Sequence, residues 1–325
     1  MKCYNIHVYG EQVSQDSITV RFQDQTFNFI FEPSLKIGQE FVLGLFASKA
    51  VLSDTVFRYP RDRRIAMLTE SPIDYSYQHI AQIVRRFPIV FTHQQHLLDL
   101  GKPFKPLIFG TNWLGITNEI DSEQILAEHP PKSKLISFMG SLAHPDDGAY
   151  KFRQEIADLC LTANNVECFG KGINPVPGKR EAIAPYYFSI AMENTASNYY
   201  FSEKLVDCLL LETVPIYYGC PEISELFNPK GILTFNTKEE LISILDNLSP
   251  NLYDEIYPFL IENKLKAIRE NWHNHQGLLS RLSSQIPLNL LNSNQRYLNR
   301  ESYLRDKITL KSRQLWENIQ ISLNR

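Results

Sequence analysis

Short apolar runs recur along the chain with polar or amphipathic stretches between them: YNIHVY, FNFIF, FVLGLFA, IAMLT, PIVFT and PLIFG in the first third, then LISFMG, VECFG, YYFSIAM, VPIYYG and GILTF. Most are rich in Val, Ile, Phe and Tyr and bounded by Gly, Pro or Asn, which predicts buried strands. Helical patterns fall between many of them. In YKFRQEIADLCLTA, for example, Phe152, Ile156, Leu159 and Ala163 share one face. Strands alternating with helices predict an α/β fold. A charged stretch ending in Pro130-Pro131, residues 118 to 134, reads as a linker, because a double proline cannot continue a helix. Residues 1–125 and 126–290 are therefore expected as two domains. From about residue 238 the pattern turns helical, and 291–325 is expected as a separate helical tail. Its segment from Arg296 onward has seven Lys or Arg against three Asp or Glu, with Leu304, Ile308, Leu315 and Ile319 at helical spacing.

Length changes this picture little, since 325 residues are enough for two cores. The formal net charge of −3 gives no general reason to expect nucleic acid as a partner. Five cysteines, with no Cys-x-x-Cys pair, argue against a disulfide framework and a zinc site. The start MKCYNIHVYG lacks the layout of a signal peptide, and no apolar run is long enough to span a bilayer. The expectation is a cytoplasmic protein whose basic tail packs on the first domain or touches an anionic membrane surface.

The chemistry concentrates in residues 186 to 230. An apolar strand ends in Glu193-Asn194, a polar loop holds Asn198, Tyr199 and Tyr200, and a helix opens Ser202-Glu203-Lys204 before the strand VPIYYG. In open parallel sheets the loop at a strand's carboxyl end is where ligands bind. Ser202 is a good N-cap, and the backbone N–H groups of a helix N-terminus favour anions, phosphate above all. Lys204 in the first turn adds a full charge. A phosphate or diphosphate pocket is one reading, and a solvated helix start is the other.

The same stretch resembles the donor-binding segment of the α-1,3/1,4-fucosyltransferases, glycosyltransferase family 10. The matching pieces are Glu193-Asn194-Thr195, Tyr200-Phe201-Ser202-Glu203-Lys204, Thr213-Val214-Pro215-Ile216, Gly219-Cys220-Pro221 and Phe227-Asn228-Pro229-Lys230, about 45 residues in order. Thr195 and Ser202 depart from the family pattern but keep a hydroxyl. YKFRQEIADL is similar to the family helix whose Arg reaches the donor diphosphate, which nominates Arg153. IAMLTESP is similar to a strand ending in a carboxylate, which nominates Glu70.

The resemblance implies a GT-B architecture, with two Rossmann-like domains and the nucleotide sugar on the C-terminal one. It also implies an inverting transfer of fucose from GDP-fucose to a hydroxyl of an oligosaccharide such as a lipopolysaccharide. Lys204 and Arg153 would then serve the leaving diphosphate and Glu70 the attacking hydroxyl. Asn194, Tyr200, Ser202, Glu203 and Lys204 would bind the donor, with Glu193 beside them anchoring the loop. His93, at the end of PIVFT, is the rival base and an acceptor-side candidate together with Asn112. No Asp-x-Asp motif is present, so no metal is expected as a requirement, while stimulation by manganese stays open. Another nucleotide-sugar donor, or a non-catalytic glycan- or nucleotide-binding protein, remain alternatives on the same residues.

Overall fold

The computed structural model of the protein describes residues 2–11, 13–33, 40–72, 74–108, 110–140, 149–163, 165–170, 173–176 and 178–291, with 296–297, 308 and 311–312. The chain divides into two compact units, Met1–Leu107 with Leu279–Arg325, and Ile108–Leu278. This differs from the expected boundaries near 125 and 290. Residues 118 to 134 read as a linker because they are charged and carry the Pro130-Pro131 pair. They hold the helix Glu119–Ala127, whose Ile125 is buried in the core of the second unit. A return of the chain, such as residues 279 to 291 rejoining the first unit, leaves no local mark in sequence. Nearly all of the basic tail lies outside the described residues.

The first unit is built on seven strands: β1 (Lys2–Tyr9), β2 (Ser17–Phe22), β3 (Gln25–Phe31), β5 (Leu43–Ala47), β6 (Arg64–Leu68), β7 (Ile89–Thr92) and β8 (Phe104–Pro106), while the two-residue β4 (Glu40–Phe41) stands apart. Their order is β2-β3-β1-β5-β6-β7-β8, parallel throughout except for β2 against β3. β2, SITVRF, was not among the expected strands. Its inner positions alternate buried and exposed at the sheet edge, with charged Arg21 inside the run, so it never forms a continuous apolar block. Of the expected strand PLIFG, Pro106 is the last residue in the ladder with β7, and the described residues Leu107, Ile108 and Gly110 are outside it.

The second unit holds five parallel strands: β9 (Lys134–Met139), β10 (Val166–Phe169), β11 (Tyr186–Met192), β12 (Val214–Tyr218) and β13 (Leu233–Thr234). They lie in the order β10-β9-β11-β12-β13. Numbered along the unit this is second, first, third, fourth, fifth, a doubly wound sheet whose strand order reverses between β9 and β11. β14 (Arg296–Tyr297) pairs antiparallel with β4 in the first unit. The expected α/β class and its two parallel-sheet units are thus both present.

Central strands of the second unit are buried along most of their length, as parallel sheets covered on both faces must be. The helix Glu203–Leu210 is wrapped on nearly all sides, with Leu205, Val206, Cys208, Leu209 and Leu210 all at most 1% exposed. Its carboxyl end is held by a half-buried cation. Lys132 Nζ donates to the carbonyls of Leu211 and Ala184, both at 2.8 Å, and to Thr213 Oγ1 at 2.9 Å.

Candidate active site

At the reversal point of the second sheet, the carboxyl ends of β9 and β11 open onto a cavity of about 250 Å³. Gly140 follows β9 and Gly170 follows β10, and their backbones touch. A Cβ on Gly170 would stand 1.8 Å from the Gly140 carbonyl oxygen, and Gly170 has a φ of +129°. No other residue type fits there. Main chain at Gly140 and Gly170 therefore forms part of the cavity lining.

Four residues nominated from sequence line this cavity: Arg153, Asn194, Glu203 and Lys204. Arg153 comes from the helix Ala149–Thr162 and is 4% exposed, so it is no solvated helix charge. Its Nη2 donates to the Met192 carbonyl at 2.6 Å and to Asn194 Oδ1, tying the guanidinium to the end of β11. Lys204 keeps about a fifth of its side chain exposed and contacts Ser202 Oγ at 3.0 Å, Glu203 Oε1 at 3.1 Å and Glu193 Oε2 at 3.4 Å. Burial alone would lower its pKa, but the Glu193 and Glu203 carboxylates outweigh burial and hold the ammonium above its usual range.

Glu193 and Ser202 stand behind this surface. Fully buried Glu193 accepts from the Ser202 N–H at 2.7 Å and from the Ser202 hydroxyl at 2.6 Å, which locks the N-cap of the helix Glu203–Leu210 to the end of β11. The geometry fits Glu193 as the loop's anchor. Tyr200 is also buried and is not part of the cavity lining.

Two side chains that sequence reasoning missed complete the charge pattern. Lys179, from the short helix Lys179–Ile183, reaches Glu203 Oε1 at 3.1 Å and Asp207 Oδ2 at 3.3 Å. Glu203 and Asp207 lie four apart on one helix face, and that pair of buried carboxylates was the available hint that a cation must come from elsewhere. For Glu203, burial would raise the pKa, but the Lys204 and Lys179 charges prevail and bring it down to about 2. For Asp207 burial dominates over the Lys179 ammonium and pushes the carboxyl up to about 7. The carboxylates are the more buried partners, so the cavity meets a cationic face.

The other nominated residues lie elsewhere. Glu70 follows β6 in the first unit and its side chain is exposed. His93 is 2% exposed; its Nε2–H donates to the Glu70 carbonyl at 2.8 Å, while Nδ1 accepts from the Gln94 amide at 3.0 Å. Burial pushes this imidazole down to about 4. With both nitrogens engaged, His93 is a structural post for the β6 and β7 ends rather than a base. Asn112 belongs to the second unit, not to an acceptor-side domain. Its Nδ2 donates to the Ile116 carbonyl at 2.7 Å and the His273 carbonyl at 2.6 Å, and its Oδ1 accepts from Leu114 and Ile116 N–H groups at 2.9 and 3.1 Å. It shapes the loop that carries Trp113.

Residues 129–276 match the family model for glycosyltransferase family 10 (fucosyltransferase) C-term. This part of the chain is similar to the C-terminal part of the family 10 fucosyltransferases. An α-(1,3)-fucosyltransferase FucT of Helicobacter pylori is 32% identical over 108 residues, 32% of this chain and 22% of that protein. GDP-fucose protein O-fucosyltransferase 3 of Mus musculus is 31% identical over 144 residues, 42% of this chain and 27% of that protein. The aligned parts thus span about a quarter of the length of these curated relatives. Among solved structures, an α1,3-fucosyltransferase with GDP is similar at 18% identity and a TM-score of 0.49, covering 83% of this chain and 92% of that one. All four cavity-lining residues nominated from sequence fall inside the family 10 domain, and Trp113 and Asn112 lie just before it.

Proposed function

We propose that the protein is an inverting glycosyltransferase that binds GDP-fucose in the family 10 domain and moves fucose to a hydroxyl of an acceptor oligosaccharide. The observation that carries this reading is the convergence of Lys204, Arg153 and a helix N-terminus at the reversal point of a doubly wound sheet. A nucleoside diphosphate leaving group gains negative charge as the anomeric C–O bond breaks. Two prepositioned cations and the first N–H groups of the helix Glu203–Leu210 meet that charge without reorganising. Arg153 is fixed by two acceptors and Lys204 by three oxygens, so their placement is set before ligand arrives.

In this reaction the acceptor oxygen attacks the anomeric carbon opposite the departing phosphate oxygen, and its proton passes to a base. Glu70 is the proposed base: it is a carboxylate at the carboxyl end of a parallel strand, and His93, the alternative, has both nitrogens engaged. Glu203 supplies the carboxylate for ribose hydroxyls, and Asn194 the amide beside the diphosphate. Nothing in this reading routes a step through a metal, and manganese dependence is a titration to make on the active enzyme. Contact of the basic tail with an anionic membrane from the cytoplasmic side belongs to the same proposal.

Calorimetric titration of wild type and Lys204→Ala with GDP, GDP-fucose, UDP and UDP-galactose tests the donor assignment. Guanosine ligands alone should bind at micromolar levels and weaken strongly in the variant. Binding only uridine nucleotides overturns fucose as the donor, and binding none of them removes the nucleotide reading.

A further inference from the structure

The cavity has a second end that the diphosphate reading leaves unused. Glu203 Oε1 lies 3.1 Å from both Lys204 Nζ and Lys179 Nζ, so it links the two cations along the lining. Beyond Lys179 comes Trp113, whose ring centroid is 4.2 Å from the Lys179 ammonium. Trp113 lines the cavity yet is 65% exposed. An indole this open to water contributes little to the core.

The means of holding it there is costly. Asp207 is completely buried and divides its two oxygens: Oδ1 accepts from the Trp113 backbone N–H at 3.1 Å, and Oδ2 lies 3.3 Å from Lys179 Nζ. One buried carboxylate therefore fixes both the backbone that carries the ring and the cation stacked on it. Asn112 closes the same loop with four hydrogen bonds. Burying a charge to steady an exposed aromatic runs against stability and makes sense as preorganisation for a flat ligand.

We propose that Trp113 binds the nucleobase of the nucleoside diphosphate by stacking, with Lys179 and Asp207 as positioning residues that hold the indole. This rests on the nucleotide reading above. With the diphosphate at Lys204 and Arg153 and the ribose at Glu203, the base falls at Lys179 and Trp113, where Ile183 and Cys208 add apolar lining. Stacking serves any base, so Trp113 supplies affinity, with the Lys179 ammonium covering one face of the indole and leaving the other for the base.

The test is a calorimetric titration of the full chain with GDP, inorganic pyrophosphate and fucose 1-phosphate, on wild type, Trp113→Ala and Trp113→Phe. Trp113→Ala should weaken GDP by about ten- to a hundredfold, and Trp113→Phe should recover most of it. Pyrophosphate and fucose 1-phosphate should bind all three proteins alike, which also shows that the variants fold. Unchanged GDP affinity in Trp113→Ala overturns the proposal, as does an equal loss of pyrophosphate. Loss confined to fucose 1-phosphate overturns it too, by putting the sugar on the indole. A wild type that binds neither GDP nor pyrophosphate sinks the nucleotide reading itself, a result distinct from these.

Discussion

The two units share a strand order and differ in what stands at its reversal point. In the first unit, setting aside the antiparallel edge strand β2, the order β3-β1-β5-β6-β7 reverses between β1 and β5; in the second it reverses between β9 and β11. A glycine packs on a carbonyl beside each point: Gly10, after β1, on Ala47 at the end of β5 in one, and Gly170, after β10, on Gly140, after the neighbouring β9, in the other. Around Gly10 the open hollow is lined by Glu11, Ser14, Asp16 and Glu32, and Glu32 Oε1 accepts from the Gly10 N–H at 2.6 Å. In the cavity beside Gly170 stand Arg153, Lys179 and Lys204, with one carboxylate, Glu203, between the two lysines. Strand order says where a ligand can sit, and the charge placed there says what kind. Among the described residues, the second site is the one whose cations suit an anionic ligand.

The sharpest way to separate the two units is by kinetics against affinity. Glu70→Gln should cut fucosyl transfer about 10²- to 10⁴-fold with GDP affinity unchanged, whereas Lys204→Ala should lose about 10²- to 10³-fold in transfer together with GDP affinity. A Glu70→Gln enzyme that transfers at the wild-type rate would remove Glu70 as the base. Next come the glycines. Gly170→Ala and Gly10→Ala should each lower stability by about 3 kcal/mol, since each adds a Cβ onto a carbonyl at positive φ. Thermal melts should show both losses, but GDP binding should suffer only in Gly170→Ala. Equal loss of GDP binding in Gly10→Ala would break the comparison.

Smaller effects appear in how stability follows pH, with opposite signs in the two units. Folded Asp207 has its pKa raised from 3.8 to about 7, so its contribution is full below about pH 4 and is lost as pH rises toward 7. Folded His93 has its pKa lowered from 6.5 to about 4, so its contribution is full above 6.5 and is lost as pH falls toward 4. Urea titrations across pH 4 to 7 should show Asp207→Asn removing a falling slope and His93→Gln a rising one, each on the order of 2 kcal/mol over the window. If Asp207→Asn leaves the slope unchanged, Asp207 is already ionised throughout.

Much of this was legible in the linear chain, and the failures have definite causes. The segment 186 to 230 carries strand, cap, helix and strand in local succession, so Asn194, Glu203 and Lys204 could be placed together from it. Arg153 needed the family resemblance, because only the fold shows that a helix charge 41 residues from Asn194 turns inward. Lys179 and Trp113 left no local pattern. Their partner Asp207 lies 28 and 94 residues away, and each alone looks like an ordinary loop or helix-start residue. His93 and Asn112 misled for the opposite reason. A polar residue after an apolar run reads as facing a ligand, and burial among backbone acceptors cannot be seen without the neighbours.

The contact of Gly170 with Gly140 also bears on how such a site can change over generations. A Cβ on Gly170 would strike the Gly140 carbonyl, so that position tolerates almost no drift, whereas the indole of Trp113 stands in open water. A lineage could exchange Trp113 and change how tightly a ligand is held while the main chain at Gly170 stayed as it is. Affinity can wander; the backbone beneath it cannot.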